Sequence, residues 1–348
     1  MGGVRLSRIY VPAGIVCTSM VSAALLLAWN AGIDGAALAP AYVLSASAVA
    51  LIALLVWIGH RVVRMALVRE ARPLESLKRE LPSKVEKLLL PAMVAPLFLA
   101  AFTAAKTSMV RLIGFRWDEF FADMDALIFR IDPWVISHAI LGQYATTFLA
   151  FFYTAIFGLS LAFVQAFVAI YGNRRFVGTF FLALLMTWFW GGIVGAYLLS
   201  SAGPVFAHLA DPELQVRFAP LIESLDRILD QDSSIRLTQT YLATAVDSSV
   251  AVKGGGISAM PSMHVAAGMI YVMAARRTRW QWLAVPFLAL TWIGSIHFGY
   301  HYAVDGLLAL PIAIVCWRFA ESVYNPQQQV PSFNFSPHDQ GPLSERPR

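Results

Sequence analysis

Long apolar segments alternate with short polar ones along the whole chain. Eight apolar segments lie at about 9–29, 40–59, 88–105, 145–171, 176–202, 261–275, 280–298 and 302–320. A helix of roughly 20 apolar residues crosses the hydrocarbon core of a bilayer. The pattern therefore predicts an all-α, polytopic membrane bundle of about eight transmembrane helices. Segment 261–275 is the shortest, which indicates a half-buried helix or one whose first turn opens into a polar cavity.

The basic residues give these helices a direction. Loops that stay in the cytoplasm retain Lys and Arg. The segment 61–87 and the turns at 174–175 and 276–279 are basic, whereas the turns at 30–39 and 296–301 carry no Lys or Arg. This distribution predicts a bacterial inner membrane protein with a cytoplasmic N-terminus, and it places segments 106–144 and 203–260 on the periplasmic side.

Three regions are predicted along the chain. Residues 1–87 hold two transmembrane helices and a basic cytoplasmic linker, and residues 88–320 form the membrane core. The polar tail 321–348 is rich in Gln, Pro and Ser, which is typical of disorder. The first apolar run could also be a cleaved signal peptide with a site near 37–39, but its length favours a full span.

Composition supports a membrane location. Hydrophobic residues make up 58% of the chain and charged residues 14%, far from the balance of soluble domains. The net charge of +5 could suggest nucleic acid, but the basic residues sit at the ends of apolar runs and form no single patch. We therefore expect no nucleic-acid partner. Cys17 and Cys316 lie in apolar segments, so no disulfide, thiolate metal site or cofactor is expected.

The segment 117–134 alternates apolar and acidic residues at helical spacing. This pattern is typical of a helix that lies in the membrane interface. Asp118, Glu119, Asp123 and Asp125 could hold a divalent cation, but a solvated polar face is the favoured interpretation.

Ionisable residues cluster near the ends of the last apolar segments, where they are functional candidates. They are His264, His297, His301 and Asp305. His301 and Asp305 are four residues apart, so the carboxylate could accept a hydrogen bond from one ring nitrogen and leave the other as a nucleophile. A purely structural His–Asp pair is the alternative.

Pro261 and Ser262 predict a helix start. Proline fits the first turn, and the free backbone N–H groups there favour an anion such as phosphate. His264 would lie in the same turn, where it could protonate a leaving oxygen and later activate an acceptor. A helix start with an interfacial histidine is the alternative.

The two segments together resemble known motifs. Pro261-Ser262-Met263-His264 and Gly294-Ser295-x5-His301-x3-Asp305 resemble the second and third motifs of the type 2 phosphatidic acid phosphatase (PAP2) superfamily, usually Pro-Ser-Gly-His and Ser-Arg-x5-His-x3-Asp. The resemblance implies a six-helix core and a lipid phosphatase or phosphotransferase. It further implies a phosphohistidine on His301, an orienting role for Asp305, and acid and base roles for His264.

Two departures from the usual superfamily motifs favour a particular branch of the superfamily. The chain has no Lys-x6-Arg-Pro motif on the predicted outer side, and Ser295 stands where Arg is usual. The inositol phosphorylceramide synthase branch also lacks these arginines, and the chain resembles it in Met263, in the segment 301–305 and in Ser201-Ala202-Gly203-Pro204. Over about 88–320, this resemblance implies transfer of a headgroup phosphate between lipids.

Other residues would then bind the substrate. Lys253, just before Gly254-Gly255-Gly256, and Arg236 could supply the missing positive charge, although solvated surface positions are equally consistent with the pattern. Ser262 and Ser295 are further candidates, and His297 could contact the headgroup. The expected partners are a phospholipid or lipid-phosphate substrate and the membrane; the oligomeric state is not indicated.

Three rival functions remain. The chain could hydrolyse phosphatidate-type or polyprenyl phosphates, or it could be a non-catalytic lipid-phosphate carrier. A zinc-dependent hydrolase that uses His297, His301 and Asp305 as ligands is the third rival.

Overall fold

A computed structural model describes residues 10–246 and 251–324 of the chain. The described residues form helices and no strand, which confirms the all-α prediction. The principal helices are α1 Val11–Asn30, α2 Ala39–Leu67, α3 Pro73–Ile113, α4 Asp118–Phe129, α5 Pro133–Ile140, α6 Gln143–Tyr171, α7 Arg174–Leu198, α8 Pro212–Ile228, α9 Ser234–Ala245, α10 Met263–Ala275, α11 Gln281–His297 and α12 Ala303–Tyr324.

Six helices of this described part are long and apolar enough to cross a membrane: α1, α2, α3, α6, α7 and α12. Eight such segments were predicted, and the other two form shorter helices. Helix α10 has 13 residues and α11 has 17. At 1.5 Å per residue, α10 extends only about 20 Å, less than the hydrocarbon core of about 30 Å. Its first turn therefore begins inside the bundle, where it can open into a cavity.

The basic linker predicted before residue 88 is the first part of α3. This helix continues from Pro73 to Ile113, so the predicted boundary at 87 falls inside one helix. The Lys87 ammonium is buried and donates to the carbonyl of Gly172 at 2.7 Å. The basic end of α3 is thus attached to the turn between α6 and α7. Of the predicted tail 321–348, residues 321–324 form the end of α12, and the rest lies outside the described residues.

The spanning helices pack in a bundle with a cap at one end. Helix α12 packs along α7, α1 along α3, and α10 against α11 and α12. The cap consists of residues 114–142, 199–246 and 251–262 with the turn 298–302, and it has its own apolar core. The basic turns at 174–175 and 276–279 lie at the opposite end, because successive spanning helices alternate in direction.

Two acidic residues of α4 are buried, although the sequence analysis favoured a solvated polar face. Asp118 is 2% exposed and Asp125 is 3% exposed. The Asp125 carboxylate accepts the backbone N–H groups of Ala303 and Val304 at 2.7 and 2.9 Å. These are the groups that a helix start leaves without intrahelical partners. Asp125 therefore holds the start of α12 from another part of the chain.

Asp118 binds a second segment of the cap. Its carboxylate accepts the N–H groups of Ala202 and Gly203 at 2.9 Å and the hydroxyl of Tyr302 at 3.1 Å. Gly203 has a φ of +94°, and a Cβ there would lie 2.5 Å from the carbonyl oxygen of Tyr300. Only glycine permits this close approach. Tyr302 is therefore a buried link within the cap.

Candidate active site

The start of α10 is tied directly to α12. Ser262 caps α10, and its hydroxyl accepts the N–H of Val265 at 3.5 Å. Pro261 therefore precedes the cap. The sequence analysis had placed it in the first turn of the helix. The backbone N–H of Ser262 donates to the carbonyl oxygen of Asp305 at 3.2 Å. This bond brings the two motif segments together.

His301 lies in the turn between α11 and α12, just before α12 begins at Ala303. Its Nδ1 is 2.7 Å from the carbonyl oxygen of Ala259 and 3.2 Å from Oδ2 of Asp305. Both neighbours are acceptors, the carboxylate when ionised, so we assign the proton to Nδ1 and the lone pair to Nε2. The predicted His–Asp contact is present, but it spans the turn that precedes the helix and does not run along one helical face.

Burial sets the charge of His301. The residue is 6% exposed and Asp305 is fully buried. Burial, with a smaller contribution from the positive charge of Lys106, lowers the pKa of His301 to about 3 against the opposing effect of the bond to Ala259. The imidazole is therefore neutral at physiological pH, which is the state that a nucleophile requires.

His264 faces His301 across a narrow gap. The two ring centroids are 5.8 Å apart. The ring of His264 stacks on Tyr153 at 5.0 Å and contacts Phe157 at 4.5 Å. Tyr153 belongs to a π-helical stretch of α6, Phe152–Ile156, a form of helix that occurs frequently at functional sites. Aromatic side chains thus hold the second histidine in place.

Both histidines line one cavity of about 600 Å³. Its wall is largely apolar and aromatic, which is typical of ligand sites with few but well-placed polar groups. The polar and aromatic side chains that matter below are His264, His301, Lys106, Lys253, Tyr42 and Tyr153. The cavity therefore brings together two imidazoles and two lysines.

Lys106, which the sequence analysis did not single out, lies on α3 and lines this cavity. Its ammonium is 5.9 Å from the centroid of the Phe102 ring. The glycine-rich loop packs against it: Gly256 has a φ of +82°, and a Cβ there would lie 3.0 Å from Cγ of Lys106. The available signal was a single lysine near the end of a long apolar run, a position where charge is expensive.

Lys253, a predicted substrate-binding residue, also lines the cavity. Its ammonium donates to the hydroxyl of Ser45 at 2.9 Å and lies 5.5 Å from the centroid of the Tyr42 ring. The N–H of Gly254 donates to the Tyr42 hydroxyl at 2.8 Å. The loop that carries Lys253 is therefore held by helix α2.

Three other predicted residues do not line this cavity. Arg236 pairs with Asp226 and lines a neighbouring pocket. The hydroxyl of Ser295 is buried and donates to the carbonyl of Trp292 at 2.7 Å. Ser262 uses its hydroxyl to cap α10. The structure thus brings together Lys253 and the two histidines but not these three.

His297 is buried outside the cavity. Its Nδ1 is 3.0 Å from the hydroxyl of Ser137, and its Nε2 is 3.1 Å from that of Thr146. Its two ring nitrogens are therefore already used. Within residues 10–246 and 251–324, no group of three His, Cys, Asp or Glu side chains could hold a metal ion. The proposed zinc arrangement of His297, His301 and Asp305 is not formed.

The fold and the cavity define an integral membrane helix bundle with a buried site of two histidines, a carboxylate and two lysines. The sequence model of the PAP2 superfamily matches residues 122–319, more than half of the chain, and the chain therefore belongs to the PAP2 superfamily. Membership indicates a lipid phosphatase or phosphotransferase that acts on lipid phosphates. No curated protein and no solved structure matches the chain.

Proposed function

We propose that the chain transfers a headgroup phosphate from one lipid to another through a phosphohistidine at His301. The observation that carries this proposal is the pair of hydrogen-bond acceptors at Nδ1 of His301. Ala259 and Asp305 both accept from Nδ1, so Nε2 keeps its lone pair beside the His264 ring in the cavity. A ring fixed in one tautomer in this way is prepared for attack on phosphorus.

In the first step, Nε2 of His301 attacks the phosphorus of a donor phosphodiester. The N–P bond forms while the bond from phosphorus to the oxygen of the donor's lipid alcohol breaks. His264, protonated while the anionic substrate is bound, gives its proton to that leaving oxygen. The headgroup phosphate is then attached to His301.

In the second step, the hydroxyl of an acceptor lipid attacks the same phosphorus. The N–P bond breaks, and His264 takes the proton of the acceptor hydroxyl. His301 returns to its neutral form with the proton still on Nδ1. His264 gives one proton in the first step and regains one in the second, so no further acid or base is needed.

Lys106 and Lys253 would supply the positive charge that arginines supply in the usual motifs. Cations placed around a transferring phosphoryl group stabilise the charge on its oxygens in the transition state. A phosphodiester carries one negative charge and a phosphomonoester up to two. A site with two lysines in place of several arginines therefore favours a phosphodiester donor, in agreement with the branch resemblance in Met263 and the segment 301–305.

The membrane side belongs to the proposal as well. The cavity lies at the end of the bundle opposite the basic turns, and the basic turns are expected in the cytoplasm. We therefore place the site at the periplasmic face of a bacterial inner membrane. Both lipids would then react in the outer leaflet.

The test is turnover in mixed lipid micelles. Purified protein would receive phosphatidylinositol with a radiolabelled phosphate, with and without ceramide or a diacylglycerol whose chains differ in length from those of the donor. We expect a new labelled phospholipid that depends on the acceptor lipid, and no product with His301→Ala. His60→Ala is the matched control, because His60 is an exposed histidine near the end of α2 that is opposite to the cavity residue Tyr42.

The alternatives give different products. Release of a water-soluble headgroup phosphate without acceptor would identify a hydrolase. Saturable binding without turnover would identify a carrier. Undiminished transfer in His301→Ala would rule out the phosphohistidine, and a stoichiometric zinc ion required for turnover would support the metal mechanism instead.

A further inference from the structure

A second apolar space lies beside the catalytic cavity. It is a groove of about 280 Å³ between α2, α3 and α6. Small residues open it, chiefly Ala46, Ala95, Gly158 and Ala162. Of the three helices, α2 and α3 lie outside the matched range 122–319. The groove is therefore built largely from parts of this chain that the family match does not cover.

The groove and the cavity meet. Tyr42, Leu99, Leu161 and Lys253 line both spaces. The polar groups gather at this junction, where the Tyr42 hydroxyl is also 2.9 Å from that of Thr103. Away from it the groove is apolar except for Gln165, whose amide donates to the carbonyl of Leu161. One end of the groove is thus polar and cationic, and the rest suits hydrocarbon.

Helix α2 gives the groove a route to the lipid. Its outward face carries exposed large apolar residues, with Leu44 at 74% and Leu51 at 56% exposed. Such a surface on a spanning helix is covered by lipid chains. A lipid could therefore pass sideways from the bilayer into the groove without exposing its chains to water.

We propose that this groove binds a hydrocarbon chain of the lipid substrate while its phosphate lies in the cavity. The inference rests on the proposed function and specifies how the substrate is held. Lys253 at the junction complements the phosphate charge, and the apolar groove complements the chain attached a few atoms away. Binding a remote, non-reacting part of a substrate can position the reacting centre.

A pair of glycines allows a controlled test. A Cβ added at Gly158, in the groove, would meet nothing within 4 Å, and the same is true of Gly59 on α2 outside the groove. Gly158→Phe fills the groove, whereas Gly59→Phe adds the same side chain at an exposed helical position. Both variants would be compared on dioleoyl and dihexanoyl phosphatidylinositol.

In Gly158→Phe, we expect the ratio of kcat/KM for the long-chain lipid to that for the short-chain lipid to fall about tenfold or more, because the remote binding contribution is lost. Gly59→Phe should keep the wild-type ratio. A wild-type ratio in Gly158→Phe overturns the groove assignment, even if both activities fall together. Absence of turnover in the wild-type protein would instead overturn the proposed function.

A measurement that does not need turnover distinguishes a wrong groove assignment from a wrong proposed function. Phosphatidylinositol with a diazirine at the end of one acyl chain would be photolysed with each protein. Labelling of peptides that contain Ala46 and Ala162 is expected in the wild type and in Gly59→Phe, and it should be lost in Gly158→Phe. Labelling spread evenly over the exposed faces of the spanning helices, unchanged in Gly158→Phe, would overturn the proposal.

Discussion

Two pairs of histidines lie at the same end of the bundle and have opposite surroundings. His264 and His301 face each other at 5.8 Å between ring centroids and line a cavity. His138 and His297 are closer, at 4.4 Å, and neither lines that cavity; His297 is buried and His138 is half-buried. By the distance between the rings alone, His138 and His297 would be the better candidate site.

The difference between the pairs is in their ring nitrogens. His138 contacts the hydroxyl of Ser224 and the carbonyl oxygen of His297, both at 2.8 Å, and His297 contacts two further hydroxyls. Every nitrogen of that pair therefore has a protein partner. His301 has its acceptors on Nδ1 alone, which leaves Nε2 for a substrate. Catalytic potential thus follows from an available nitrogen in a cavity and not from the closeness of two histidines.

Removal of the nucleophile should have the largest effect. We expect His301→Gln to lower kcat by about 10³-fold or more, because no covalent intermediate can form. His297→Gln serves as the comparison, since it alters a histidine of the pair whose ring nitrogens all have protein partners. Single-turnover rates with labelled lipid would measure both. Equal losses in the two variants would contradict the distinction between the pairs.

Lys106→Met should rank second. Loss of one cation beside a transferring phosphoryl group costs about 10²-fold in rate. Lys78 is exposed on the same helix α3, so Lys78→Met is the matched control and should retain wild-type turnover. The measurement is kcat in mixed micelles. A wild-type rate in Lys106→Met would remove this lysine from the site.

Asp305→Asn should have a smaller effect than loss of a carboxylate in a hydrolytic triad. The carbonyl of Ala259 still accepts from Nδ1 of His301 at the shorter distance of 2.7 Å, so the tautomer is partly retained. We expect a loss in kcat of about tenfold to a hundredfold, against about 10⁴-fold for the corresponding triad substitution. A loss as large as that of His301→Gln would show that Asp305 alone fixes the ring.

His297→Gln should mainly affect stability. The buried hydroxyl of Thr146 and the half-buried hydroxyl of Ser137 would lose well-placed partners, at a cost of about 1–3 kcal/mol. The buried thiols of Cys17 and Cys316 permit the measurement, because a thiol-reactive dye reports their exposure on heating. We expect a lower midpoint with turnover reduced less than about tenfold. A larger loss of turnover at an unchanged midpoint would place His297 in the chemistry.

The smallest effect should be on the pH dependence of stability. Burial lowers the pKa of His138 and that of His301 below their ordinary value, which is about 6.5 in the unfolded chain. Below that pH the unfolded chain binds more protons than the folded one, so stability is complete above about pH 6.5 and is lost as the pH falls. His138→Gln should reduce the fall in unfolding temperature between pH 7 and pH 5. An unchanged slope would show that folding does not lower the pKa of His138.

Much of the fold could be predicted from apolar periodicity alone. Eight spanning segments were predicted, and six helices of the described part are long enough to span; α10, which begins at the site, and α11, which ends near it, are shorter. The role of the acidic face of α4 could not be predicted. Asp125 binds N–H groups of residues 303 and 304, and no local pattern marks a partner so distant in the chain.

The sequence by itself determined the all-α membrane class, the motif residues His264, His301 and Asp305, and the asymmetry of basic turns, because each depends on residue type and short spacing. Only the tertiary structure decided which groups surround them. The carbonyl of Ala259, the ammonium of Lys106 and the groove beside α2 come from distant segments brought together by packing. A backbone carbonyl has no signature in a sequence, and a single lysine gains its meaning from the cavity that it faces.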